Sequence, residues 1–297
     1  MMDTVFVTGG SSTLGHHVLR NLASRVCAVA TVHRRNVEIP GVEMELLHGG
    51  LEEAVRNPAP LKRAQVILHM AAVTHSENPS EYLRVNTELT KQLLAGCLPS
   101  QHFVYVSTIC AHLDGGAYGR SKWMAEEAIR GSGLDYTIIR PAEIYGSKDG
   151  EGIDALVAFA QRTHILLDFR YGGSVKYAPI SMQDAAHFIA EATISRRHAG
   201  QTYILCADHL CTAREMARSL RSSVRPLFVV PVPVMILRAA KALGLPVPFK
   251  RDQIDRLVLP KTYNSAEARR DYDFRLQSFL DYLMQREKIS AGADPGR

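Results

Sequence analysis

The chain has 297 residues, 46% hydrophobic and 22% charged, a globular make-up with room for one large domain or two smaller ones, which excludes disorder as its main state. A formal net charge of +5 favours acidic partners, yet no run of Lys and Arg exceeds two, so phosphate-bearing small molecules fit better than a nucleic-acid face. Five cysteines, Cys27, Cys97, Cys110, Cys206 and Cys211, form no CxxC pair and are odd in number, which argues against a disulfide framework or a zinc site and makes a reducing, cytoplasmic setting the default expectation.

The opening MMDTVFV lacks the basic-then-apolar pattern of a signal peptide and becomes strand-like at once, over Thr4 to Thr8. A helix is predicted from Leu14 to Leu22, then strands at Val26 to Val32, Glu43 to His48 and Val66 to Met70. From Asn86 the residues Leu89, Leu93, Leu94 and Cys97 recur at helical spacing, and Phe103 to Ser107 reads as a buried strand. A helix over Tyr118 to Ile129 closes near Gly131 and Gly133, and Tyr136 to Arg140 gives another strand before Pro141. This alternation predicts an α/β protein with a parallel sheet and crossover helices.

Past Gly146 the pattern loosens. Helices are expected over Glu151 to Arg162 and Met182 to Thr193, a strand over Thr202 to Leu205, and a proline-punctuated stretch from Arg225 to Pro248. The apolar stripe Val232 to Leu243, which includes Arg238 and Lys241, is read by default as packing in the core or the substrate region, with membrane contact a remote second, and no membrane partner is expected of the protein. The expected division is a dinucleotide-binding core over 1–146 and a mostly substrate-binding region over 147–289, of which about 178–205 returns to the core. A flexible tail is expected over 290–297.

The stretch TGGSSTLG follows the first strand and opens a helix, an arrangement that offers backbone amides and a positive helix end to a pyrophosphate. Thr8, Gly9, Ser11, Ser12, Thr13, Leu14 and Gly15 are the candidate contacts, with Gly9 and Gly15 permitting the turn and the close packing of helix on strand. The second strand ends in His33, Arg34 and Arg35 with no carboxylate for ribose hydroxyls. A guanidinium there pairs with a 2′-phosphate, so NADP(H) is favoured, with NAD(H) as the alternative.

In YGRSK, Tyr118 and Lys122 stand four apart and share a helix face. An ammonium near a phenol favours the phenolate, as a general acid or base for alcohol and carbonyl chemistry requires. The strand FVYV ends in Ser107 and Thr108, whose hydroxyl would reach the same carbonyl oxygen.

Together TGGSSTLG, VILHMAA at 66–72, VNTELTKQLLAGC at 85–97, FVYVST at 103–108, YGRSK at 118–122 and YTIIRPAEIYG at 136–146 resemble, in order and approximate spacing, the extended short-chain dehydrogenase/reductase superfamily of NAD(P)-dependent epimerase/dehydratase type. The resemblance covers most of the chain and implies a Rossmann-type doubly wound parallel sheet with a smaller, partly C-terminal substrate-binding region. It further implies Tyr118 as acid or base, Lys122 as its pKa modulator and nicotinamide-ribose ligand, and Thr108 as the hydroxyl polarising the substrate oxygen. Asn86 would support the site from behind. Ala71, Ala72 and Val73 would line the cofactor, Pro141 and Ala142 would close over the nicotinamide, and Thr74, Ile144 and Lys176 join Thr108 on the substrate side. A homodimer through a helix pair is frequent in that family.

Two positions depart from the family pattern: Ser12 replaces the middle glycine of the phosphate loop, and Gly50, followed by Leu51, replaces an Asp that contacts adenine. A third bears on substrate, since Tyr177 stands where sugar-nucleotide enzymes carry an Arg for the diphosphate; Lys176, Arg170 and Arg251 are the nearby substitutes. Twelve histidines form no cluster with ligand spacing, so no metal is expected, and Asp184 is read as a helix cap. The expected function is an NADP(H)-dependent oxidoreductase interconverting a ketone and a secondary alcohol, with a 4-keto nucleotide sugar as one substrate. An NAD(P)-dependent nucleotide-sugar epimerase or dehydratase, and a non-catalytic dinucleotide-binding sensor or scaffold, are the alternatives.

Overall fold

The computed structural model describes residues 2–33, 37–147, 152–221, 224–245, 251–272 and 276–291. Seven strands, β1 (Thr4–Thr8), β2 (Cys27–Val32), β3 (Glu43–His48), β4 (Val66–His69), β5 (His102–Val106), β6 (Asp135–Pro141) and, later in the chain, β10 (Gln201–Leu205), form one parallel sheet in the order β10-β6-β5-β4-β1-β2-β3. The order reverses between β1 and β4, which is where open α/β sheets bind ligands beyond their strand ends.

Both sheet faces are covered, so the central strands carry apolar side chains on both sides. Val5 and Val7, with Val66, Leu68, Val104 and Val106, pack beneath α1 (Thr13–Leu22) and α8 (Met182–Ser195). The intervening Phe6, Ile67, Phe103 and Tyr105 meet α2 (Gly50–Arg56), α3 (Ala59–Lys62), α5 (Leu89–Ala95) and α6 (Gly116–Arg130). The period of two read from the sequence thus sorts neighbouring residues into two separate cores.

Several expectations are corrected. The helix expected from Asn86 begins earlier, as α4 (Pro79–Tyr82), capped by the Asn78 side chain on the Ser80 amide, and continues through a π-helical segment, Leu83–Glu88. Ser181, not Asp184, caps α8: its hydroxyl accepts the Asp184 amide, and the Asp184 carboxylate instead accepts the Gln277 amide at 2.7 Å. The remaining elements are β7 (Ile144–Tyr145), α7 (Gly152–Thr163), β8 (Ile165–Arg170), β9 (Ile180–Ser181), α9 (Ala213–Leu220), β11 (Phe228–Pro233), α10 (Val234–Ala242), α11 (Arg251–Val258), α12 (Ala266–Asp271) and α13 (Phe279–Ala291).

The proline-punctuated stretch therefore contains a strand, β11, which among the described residues pairs with β8 alone and so tolerates Pro231 and Pro233. The stripe expected to pack inward instead leaves Met235, Ile236 and Leu243 exposed. Helix α13 runs to Ala291, so residues 290 and 291 continue it, and the rest of the expected tail lies outside the described residues.

Candidate active site

The strand ends of β1 and β4 meet so closely that a Cβ on Gly9, at φ +77°, would lie 2.6 Å from the Ala71 amide nitrogen. A Cβ on Gly15 would sit 2.4 Å from the Gly9 carbonyl oxygen, so only glycine lets α1 start directly on the loop. Ser12 causes no such conflict. At φ −76° it is the N-cap of α1, its hydroxyl donating to the Gly9 carbonyl at 2.9 Å and accepting the Gly15 amide at 3.0 Å. Ser11, Thr13 and Leu14 are half-buried beside it, at the positive end of the helix.

Thr8 is buried beneath the loop: its hydroxyl accepts the Ala71 amide at 3.2 Å and pairs with His69 Nδ1 at 2.6 Å, while His69 Nε2 meets the Thr90 hydroxyl at 2.8 Å. Burial drives the His69 imidazole down to about 3, so it is neutral and serves the framework. Gly50 has φ +69°, and a Cβ there would press on the His33 ring at 3.2 Å. His33 thus fills the space beside the position where the family has an Asp. The Leu51 side chain is buried in the core against Val29 and Ala54, and Arg34 and Arg35 lie outside the described residues.

Around β5 the structure brings Thr108 beside Tyr118, where the Thr108 hydroxyl, which accepts the Cys110 amide at 3.2 Å, favours the ionised phenol. Tyr118 is buried, which pushes its phenol up to about 12; Arg256 opposes that shift, its guanidinium carbon lying 4.8 Å from the ring centroid. Lys122, one turn on, is also buried and donates from Nζ to the Val106 carbonyl at 2.8 Å, with the ammonium 4.1 Å from the Tyr105 ring centroid. Desolvation lowers its ammonium to about 7, against the opposing pull of Glu126. Glu126 is itself fully buried and held by Ser107, Arg130 and Arg140.

Asn86 locks this face. Its side chain accepts the Val73 amide at 2.8 Å and donates to the Val73 carbonyl and the Ser121 hydroxyl, both at 3.0 Å. The loop bearing Ala71, Ala72 and Val73 is thereby fixed to the helix bearing Tyr118 and Lys122. On the far side, Pro141 ends β6 and Ala142 donates to the Leu205 carbonyl, with Ile144 half-buried beyond. Thr74 and Lys176 are exposed, Tyr177 is buried and backbone-paired with Cys211, and Arg170 is bound to Asp168.

Four further charges were not found from the sequence. Asp252 accepts the Tyr118 amide at 2.9 Å, supplying to the N-terminus of α6 the cap that Gly115 lacks, and pairs with Arg256 at 2.7 Å. Lys261 pairs with Glu143 at 2.6 Å, and the Tyr263 hydroxyl donates to the same carboxylate. Asp252 and Arg256, at i and i+4, and the Glu143 next to Ala142 were the available signals. Their partners lie more than a hundred residues away, beyond the reach of local pattern.

The model of the NAD dependent epimerase/dehydratase family matches residues 5–178. The chain belongs to this family. It is an NAD(P)-dependent family of the extended short-chain dehydrogenase/reductase type, in agreement with the expected Rossmann-type sheet. The chain is 28% identical over 187 residues to the ceramide reductase of Caulobacter vibrioides, an alignment covering 61% of this chain and 58% of that one. It is 28% identical over 161 residues to UDP-2-acetamido-2,6-beta-L-arabino-hexul-4-ose reductase of Pseudomonas aeruginosa, covering 52% and 39%. The chain thus spans only part of the length of these relatives. Among solved structures it is similar to a dTDP-glucose 4,6-dehydratase, the DesIV double mutant from Streptomyces venezuelae with NAD and DAU bound, at TM-score 0.70 and 20% identity over 97% of each chain. This chain's own residues fit a dinucleotide: the Gly9 and Gly15 backbone admits no Cβ, and α1 begins at the edge where the sheet order reverses.

Proposed function

We propose that the protein is an NADP(H)-dependent oxidoreductase that interconverts a ketone and a secondary alcohol. The observation that carries this reading is that Thr108, just past the end of β5, lies beside buried Tyr118 of α6, with buried Lys122 one turn further along that helix. The loop from Thr8 to Gly15 and the N-terminus of α1 would hold the pyrophosphate, Ala71 to Val73 the adenosine side, Lys122 the nicotinamide ribose, and Arg34 with Arg35 the 2′-phosphate. When bound, the nicotinamide supplies or takes up the hydride.

In the reductive direction Thr108 donates a hydrogen bond to the carbonyl oxygen, and Tyr118 transfers its proton to that oxygen. In the oxidative direction the phenolate of Tyr118, its negative charge favoured beforehand by the Arg256 guanidinium, takes the alcohol proton and becomes neutral. The burial of Tyr118 and Lys122 keeps bulk water from competing for that proton. Residues 1–146, with the strand and helix of about 178–205, form the cofactor-binding core in this reading, and the rest shapes the substrate side. A 4-keto nucleotide sugar fits the resemblance to the Pseudomonas aeruginosa reductase, with Lys176 as the substitute for the missing arginine.

Tyr118→Phe tests the assignment. Ketone-dependent NADPH oxidation falls by about a hundredfold or more while NADPH binding, read by nicotinamide fluorescence, is retained; full activity in that variant overturns the mechanism. Release of oxidised cofactor in step with ketone loss separates this reading from an epimerase, which returns its hydride. Arg34→Ala and Arg35→Ala weaken NADPH roughly tenfold or more with little change for NADH, and equal loss for both removes the 2′-phosphate argument.

A further inference from the structure

Helix α10 carries its polarity inverted. Val234, Leu237, Arg238 and Lys241 recur at helical spacing on its inward side: Val234 is buried in one cluster with Phe169 and Ile254, Leu237 packs on that cluster, and Arg238 pairs with Asp255 of α11 at 2.8 Å. The opposite face, Met235, Ile236, Ala239, Ala242 and Leu243, is exposed and wholly apolar, with Met235 at 56%, Ile236 at 63% and Leu243 at 78% exposure. The strand that feeds α10, β11, adds Phe228 at 60% and Val230 at 39%. So much contiguous apolar surface marks a place of contact.

The charge along this segment of the chain is one-sided. From Met216 to Leu245 the chain has Arg218, Arg221, Arg225, Arg238 and Lys241 and no acidic residue. With 35 basic and 30 acidic residues in the whole chain, these five equal the entire net charge of +5, and the remainder is balanced. Arg218, Arg221 and Arg225 are exposed. An added strand is disfavoured because Pro231 and Pro233 have no amide to offer. A second copy would bring the same cations together. An apolar helical face that follows a segment of exposed arginines, with Asp255 already paired to Arg238 on the inward side, matches the boundary between the headgroups and chains of an anionic bilayer.

We propose that β11 and α10 seat the protein on an anionic membrane surface, with α10 lying in the interface. No helix among the described residues is long and apolar enough to cross a membrane, and this mode of contact requires none. The contact would also place the substrate end of the site at the lipid boundary, because α10 is tied through Arg238 and Asp255 to α11, which bears Asp252 and Arg256.

Flotation of the full chain with vesicles tests this. With phosphatidylcholine containing about a third phosphatidylglycerol the wild type floats, and with phosphatidylcholine alone it does so roughly tenfold less. Ile236→Asp, and separately the pair Arg221→Glu with Arg225→Glu, each lower the floated fraction about tenfold, with melting temperature and NADPH binding unchanged. Wild type that stays with the soluble fraction, or Ile236→Asp that floats as well as wild type, overturns the proposal. A concentration-dependent dimer that Ile236→Asp dissolves, without flotation of either form, assigns the face to a second copy and overturns it as well.

Discussion

Tyr118 is surrounded by groups whose charges compete for its proton. Burial raises the phenol, and Arg256 on the ring face lowers it; Asp252 and Cys110 raise it, and the Thr108 hydroxyl lowers it. The ring of Tyr82 meets it edge-on at 6.0 Å, and Lys122 stands one turn away on the same helix. Arg256→Gln deletes the cation on the ring while keeping much of the side chain's bulk. The phenol then rises further, so at any pH below it the phenolate fraction falls. Alcohol oxidation, which needs the phenolate, has the rising limb of its kcat/KM profile displaced to higher pH, with rates near pH 8 reduced about three- to tenfold. Ketone reduction, which needs the protonated phenol, persists to higher pH. The two profiles measured on both proteins check the sign, and a limb that stays in place assigns Arg256 to packing alone.

At the scale of elements, α6 is capped from outside its own segment. Gly115 at the N-cap has no side chain to offer, and Asp252 accepts the Tyr118 amide in its place, adding a negative charge at the positive helix end. Asp252→Ala removes both and frees Arg256 from its partner, so a loss of about 1–2 kcal/mol in denaturant unfolding is expected. Asp252→Asn, which still offers an oxygen to the amide, recovers part of it. The same contact shows why some elements were legible in the sequence and others were not. Strands β1, β4 and β5 announce themselves because each residue packs on one of two apolar layers. In β11 and α10 the apolar residues look alike in sequence whether they face a core or a surface, and only the packing of Val234 and Arg238 decides which side turns in.

Across the whole molecule, the parallel Rossmann-type sheet could be read from the alternation of strands and helices, and the nearness of Thr108, Tyr118 and Lys122 could be expected because β5 and α6 are adjacent in the chain. The charges that finish the site arrive from residues 252–263, closed onto it only by the tertiary fold, and so left no local mark. The Glu143–Lys261 pair is the clearest such closure. Glu143 follows the end of β6, Lys261 follows α11, and neither is more than slightly exposed. Glu143 holds the Lys261 ammonium above its ordinary value despite burial. Lys261→Met leaves a carboxylate without its cation, at a cost of about 3–5 kcal/mol, whereas Lys261→Met combined with Glu143→Gln gives back a large part of that loss. Urea unfolding of the two single variants and the double yields the coupling between them. A coupling near zero would mean that residues 259–263 are held by Leu259 and Tyr263 packing alone, and a large one would make this pair the clasp that fixes α11, and with it Arg256, against Tyr118.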